Sequence, residues 1–257
     1  MRVLVPRGTA YVKRQGKWTA RVKPWPEGID EWTHFLHDAS NNATAHDRAV
    51  APPARVQWVG EPLWSRSHEY DSSLSAMVSS RGRLFYIFDE GPTGIIDPRI
   101  PDKWTLTARD AFNGVILWKR PIAEWGWKAW KRSQLEKADW SRMPSQRTVL
   151  PLGIPRRLVA AGDRLYVTLG YQAPVTALDS ATGQTLITYA GTERTDELLH
   201  ENGLLVLCIR SSLDDPGPPS QGKTFLRREA SPGFLMAVEA ATGRRLWRTK
   251  PGVIVPL

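Results

Sequence analysis

The stretch "LTARDAFNGVILW" at residues 106–118 returns as "VTALDSATGQTLI" at 175–187 and as "LMAVEAATGRRLW" at 235–247. Aligned on Gly114, Gly183 and Gly243, the three copies share one pattern. Each reads Ala, any residue, Asp or Glu, two residues, Asn or Thr, Gly, three residues, then Trp or Ile. The first copy supplies Ala108, Asp110, Asn113, Gly114 and Trp118. The second supplies Ala177, Asp179, Thr182, Gly183 and Ile187, and the third Ala237, Glu239, Thr242, Gly243 and Trp247. The apolar alternation before the acid is that of a strand. An acid can accept hydrogen bonds from turn amides, and a Gly after Asn or Thr supplies the positive φ of a tight hairpin. The following strand then delivers a large side chain. Trp118 and Trp247 are each expected to bury on the order of 200 Å² there.

A second phrase precedes each copy: "RGRLFYIFDE" from Arg81, "AGDRLYVTLG" from Ala161 and "ENGLLVLCIR" from Glu201. Each pairs a Gly-containing turn with an apolar strand, so a repeat holds two hairpins, or four strands. Four-stranded units in tandem predict a β-propeller. The motif glycines are 69 and 60 residues apart, and a bare blade takes about 40–45 residues. The surplus falls in insertions at 91–103, 123–155 and 211–224. The expectation is an all-β chain with three blades, at 75–122, 157–191 and 196–251. They lie within a partial propeller at 75–257, preceded by a hairpin at 1–28 and a lead-in arm at 29–74. Three blades cannot close a ring, so a strand edge should stay open and the chain reads as a fragment of a longer protein.

The repeated pattern resembles the tryptophan-docking motif of quinoprotein-type propellers, the pyrroloquinoline-quinone (PQQ) binding-like repeat, in which the Trp of one blade packs on the next. The segment 30–64 resembles the lead-in before such propellers through Trp32, Asn41, Asn42, Pro52, Pro53 and Trp58. Ile187 departs from the motif, and the contact it makes should be the weaker one. The resemblance implies a bacterial protein of the envelope or periplasm. It also makes PQQ with calcium the cofactor to test for, held in a central channel, although no residue matches a PQQ ligand by motif. The adjacent Cys pair common in alcohol-oxidising members is missing, since Cys208 is the only Cys. "RVLVPRGTAYV" near the N-terminus resembles the C-terminal end of class I S-adenosylmethionine-dependent methyltransferases, with Arg7 in place of a Gly. The alternative reading is a plain hairpin turning at "KRQGKW".

The remaining candidates are few. His68 and Glu69, with Asp89 and Glu90 at a strand end, form a candidate pocket, because a His beside carboxylates can transfer protons. His34, His37 and His46 near Asp38 and Asp47 are weak metal candidates; His34 and His37 share a face only if that stretch is helical. Trp125, Trp127, Trp130 and Trp140 sit among basic residues and read foremost as a cap packed on a blade. The net charge of +9 comes from scattered clusters, Arg156–Arg157 among them, without a nucleic-acid motif; they read as a solvated basic surface. No apolar run is long enough to span a membrane, and "MRVLVPRGTAYV" does not read as a signal peptide. The functional expectation is a non-catalytic binding or scaffolding module whose partners are proteins or further blades. The alternatives are part of a PQQ-dependent oxidoreductase, or a propeller appended to a methyltransferase.

Overall fold

The computed structural model describes residues 4–49, 56–66, 72–94, 100–126, 129–130, 153–211 and 231–254. Among these the chain is all-β, a partial propeller of three blades with an N-terminal hairpin and an arm. Strands β1 (Thr9–Arg14) and β2 (Lys17–Val22) form the hairpin, turning at Gln15 and Gly16. Arg7 adopts φ 62°, where glycine is favoured, and its guanidinium lies 4.9 Å from the Trp25 ring. Trp25 meets Phe112 edge-on at 5.7 Å, which fastens this region to the first blade.

Blade 1 is β3 (Leu74–Ser80), β4 (Arg83–Asp89), β5 (Trp104–Asp110) and β6 (Ile116–Pro121). Blade 2 is β7 (Leu158–Ala161), β8 (Arg164–Thr168), β9 (Val175–Asp179) and β10 (Thr185–Thr188). Blade 3 is β11 (Thr195–Glu201), β12 (Leu204–Arg210), β13 (Ser231–Glu239) and β14 (Arg245–Arg248). A short β15 (Gly252–Ile254) pairs with β13 beyond the end of β14. All pairings are antiparallel and, apart from β15 with β13, join sequence neighbours in the order of the chain. The first strands β3, β7 and β11 pack side by side, and so line the hub of the propeller.

Strand alternation explains how the blades stack. In blade 2, Leu158, Ala160, Leu165, Val167 and Leu178 join a buried cluster with Phe85, Ile87, Leu106 and Ala108 of blade 1. The intervening Val159, Tyr166, Val175 and Ala177 join a second cluster with Leu198, Leu205, Leu207 and Ile209 of blade 3. Period-two patterning with both faces apolar is what a middle blade requires. Trp125 and Trp130 are buried in the first cluster, with Trp130 at 5.8 Å from Trp104. Trp127, Trp140, Pro52, Pro53, His68 and Glu69 lie outside the described residues.

Candidate functional site

The three repeated turns share one hydrogen-bond set. The amides of Gly114, Gly183 and Gly243 donate to the carbonyls of Asp110, Asp179 and Glu239 at 2.8–2.9 Å. Their φ values are 74°, 72° and 77°, which is why Gly holds the position. The Asp110 carboxylate accepts the amides of Phe112 and Asn113, and Asp179 those of Ala181 and Thr182. The Thr182 hydroxyl, followed by these amides, holds the Asp179 carboxyl below its usual range. Glu239 takes the Thr242 hydroxyl instead. A register shift follows each Gly turn, and Ala108, Ala177 and Ala237 stand opposite Trp118, Ile187 and Trp247. The motif residues build turns and bulges.

The turns are also where adjacent units meet. Trp58 of the arm lies over Gly114 and donates Nε1–H to the Ala111 carbonyl at 3.0 Å. Trp118 of blade 1 lies over Gly183 and donates Nε1–H to the Ser180 carbonyl at 3.1 Å. At the third turn the equivalent carbonyl, Ala240, accepts from the Tyr189 hydroxyl at 2.6 Å. Ile187 lies near Gly243, but the ring and the polar contact come from a residue two positions on, just past β10. The contact assigned to Ile187 alone is therefore shared. Trp247, on the outer strand of blade 3, is 45% exposed, and the burial expected of it from sequence is not made.

The arm enters the hub and touches all three blades in succession. The Ser79 amide donates to the Trp32 carbonyl at 2.6 Å, the Ala160 amide to the Thr33 carbonyl at 2.9 Å, and the His200 amide to His34 Nε2 at 3.0 Å. These acceptors serve β3, β7 and β11 in turn. Glu31 accepts the Ser80 hydroxyl and the Arg81 amide. His34 and His37 face each other across a turn as a β-bridge, so the helical face that would join them is absent. Both ring nitrogens of His34 are engaged, Nε2 by His200 and Nδ1 by the Thr33 hydroxyl at 2.8 Å. Burial, then nearby His200, pushes its pKa down to about 4. His34 is thus a neutral structural residue apart from His37 and His46. The latter two do come together, with Asp38.

Beyond the arm, a charge network bridges blades 2 and 3. Arg156 pairs with Glu197, and Arg157 pairs with Asp196 at 2.6 Å. Arg210 reaches the other Asp196 oxygen at 2.6 Å. The Arg157 and Arg210 guanidiniums lie 4.6 and 5.5 Å from the Tyr171 ring. Arg157 is fully buried and Arg156 nearly so, which corrects the reading of this pair as solvated surface. The signal available was position: two Arg directly ahead of the apolar run of β7, and Asp-Glu at the same place in β11. Burying such charges is costly unless each is paired, and removing one partner strands the other. Burial pushes the nearby Cys208 thiol up to about 11, with Glu197 and Asp196 adding to the shift, so it is not a reactive thiolate.

Asp89 and Glu90 lie in an open cleft of about 430 Å³ under the arm segment carrying Pro62 and Trp64. Asp89 accepts the Gly91 and Lys103 amides and pairs with Arg66 at 3.3 Å. Glu90 pairs with Lys119 and, at 3.9 Å, Lys103. The two carboxylates close a loop. In the described hub two carboxylates are likewise committed to ion pairs. Its carboxylates Asp196 and Glu197 are held by arginines, and Phe35, against Arg156 at 5.3 Å, projects there from the arm.

No protein-family model matches the chain, and no curated protein matches it. Among solved structures it is similar to BamB from Moraxella catarrhalis, at 14% identity and a TM-score of 0.34, over 66% of this chain and 33% of that one. It is similar to a europium-containing methanol dehydrogenase at 12% identity and 0.42, over 85% and 31%. It is also similar to the quinohemoprotein alcohol dehydrogenase from Comamonas testosteroni at 13% identity and 0.43, over 86% and 27%. The chain spans a third or less of each of these proteins.

Proposed function

We propose that the chain is a non-catalytic binding or scaffolding module, a run of propeller blades that presents its third blade to a further blade of the same kind. The observation that carries this is the state of Trp247. Its counterparts Trp58 and Trp118 each sit on a glycine turn and hydrogen-bond a turn carbonyl, whereas Trp247 stands exposed on the outer strand among Arg244, Arg245 and Arg248. The occupant that matches is another turn reading Asp, two residues, Asn or Thr, then Gly, with a carbonyl after its acid to accept the indole N–H, because a Trp meets that surface twice within the chain. A non-catalytic role is further supported by the carboxylates Asp89, Glu90, Asp196 and Glu197, all committed to ion pairs. The envelope location and the protein or blade partners belong to this same reading.

The rival is part of a PQQ-dependent oxidoreductase. Titrating the chain with PQQ and calcium at micromolar concentration, followed by absorbance and dye reduction, separates the two. The module reading predicts neither saturable binding nor dye reduction. Turnover of an alcohol with dye reduction overturns it.

A further inference from the structure

The cluster of His37, Asp38 and His46 holds an arrangement that ordinary hydrogen bonding leaves incomplete. His37 is 3% exposed, and its Nε2 lies 2.7 Å from Asp30 Oδ2. Asp30 Oδ2 is acceptor-only as a carboxylate, so it takes the Nε2–H of His37; in the neutral ring Nδ1 then presents its lone pair. That Nδ1 is buried and has no hydrogen-bond partner. Facing it at 3.4 Å is Asp38 Oδ2, another acceptor. The second Asp38 oxygen is taken by the Ser40 amide at 2.8 Å and the Ser40 hydroxyl at 2.6 Å, which fixes the carboxylate in this pose. The His46 ring stands 5.4 Å from that of His37 at 75°, and one ligand atom from each of His37, Asp38 and His46 falls within 4.8 Å of the others.

A buried ring nitrogen without a hydrogen-bond partner, facing a carboxylate oxygen, is a place for a cation to bridge. We propose that His37 Nδ1, Asp38 Oδ2 and a ring nitrogen of His46 form a binding site for a divalent first-row transition metal such as Zn²⁺. Two imidazoles and one carboxylate suit such an ion better than calcium or magnesium, which prefer oxygen. A tetrahedral ion at about 2.0–2.1 Å needs donors about 3.3 Å apart, so the cluster has to close by up to about 1.5 Å. His46, which is exposed, is the member with room to move. Asp30 then acts on the ligand rather than on the metal. It orients the His37 ring through Nε2 and is itself held by the amides of Glu31 and His46 at 2.8 and 2.6 Å. Fourth and further positions open toward solvent past His46, while Asp38 is half-buried. The metal would tie residue 46 to the turn at 37–38, closing the loop of the arm that feeds Trp32, Thr33 and His34 into the hub.

The test is calorimetric titration of the whole chain with Zn²⁺, alongside Co²⁺ absorbance as a report on nitrogen and oxygen donors. One ion per chain is expected, with a melting temperature that rises with Zn²⁺ concentration. His46→Ala and Asp38→Asn, both outside the core, should each weaken binding at least tenfold. Asp30→Asn should weaken it ten- to a hundredfold through the misoriented His37 ring. Absence of saturable Zn²⁺ binding overturns the proposal. Binding that survives unchanged in the folded His46→Ala and Asp38→Asn proteins overturns it equally.

Discussion

The contact of blade 1 with blade 2 and that of blade 2 with blade 3 do the same work with different residues. In the first, an indole presses on a glycine turn so closely that a Cβ at Gly183 would stand 2.8 Å from the Trp118 ring. In the second, a Cβ at Gly243 would meet Tyr189 at an ordinary 3.4 Å. Both place a donor on the carbonyl after the turn acid, Ser180 in one case and Ala240 in the other. A blade contact can therefore keep its hydrogen bond while moving its ring two residues along the chain, with Ile187 filling part of the space left behind.

Substitutions at the two contacts sharpen the difference. Gly183→Ala should cost the most, about 1–2 kcal/mol for the left-handed backbone and a further 1–3 kcal/mol, roughly, for overpacking against Trp118. Gly243→Ala should cost only the backbone share, about 1–2 kcal/mol. Urea denaturation of the two variants reads this directly; equal losses would mean that the Trp118 ring gives way freely. Trp118→Ala should cost about 3 kcal/mol. Tyr189→Phe keeps the ring and removes the donor to Ala240, and should cost about 1–2 kcal/mol by the same measurement.

The arm gives a pH-dependent contrast with the blades. His34 titrates at about 4 in the folded protein against an ordinary 6.5, because it is buried beside His200. On acidification the unfolded chain takes up this proton first. The stabilisation is complete above pH 6.5 and is lost progressively toward pH 4, with a slope of up to about 1.4 kcal/mol per pH unit. Burial lowers His200 as well, so it adds to the slope. Urea midpoints followed across this range should show a shallower slope in His34→Gln; an unchanged slope would remove the arm from the account. Smallest of all, Trp247→Ala should cost less than about 1 kcal/mol, since its ring is 45% exposed.

The architecture was legible because a repeat is a pattern that local physics enforces three times. Gly114, Gly183 and Gly243 each need a positive φ, and strand alternation marks both faces of blade 2. What stayed hidden depends on partners distant in sequence. Arg156 and Arg157 look like surface charge until Asp196 and Glu197, about forty residues on, are brought against them. Tyr189 sits outside the aligned columns, so comparison by position passes over it. His37 and His46 were visible as residue types, but the role of Asp30 in orienting His37 follows only from the turn that returns the arm on itself. His34 looked equivalent to them and is not, because both its nitrogens are spent within the hub.

Blade 2 meets the third glycine turn with Tyr189 as the larger contact and the motif residue Ile187 as the smaller one. The direct test is urea denaturation of Tyr189→Ala and Ile187→Ala beside the unaltered chain. The expected loss is about 3 kcal/mol for Tyr189→Ala, near that of Trp118→Ala, and about half as much for Ile187→Ala. A loss at Ile187 equal to or larger than that at Tyr189 would contradict it.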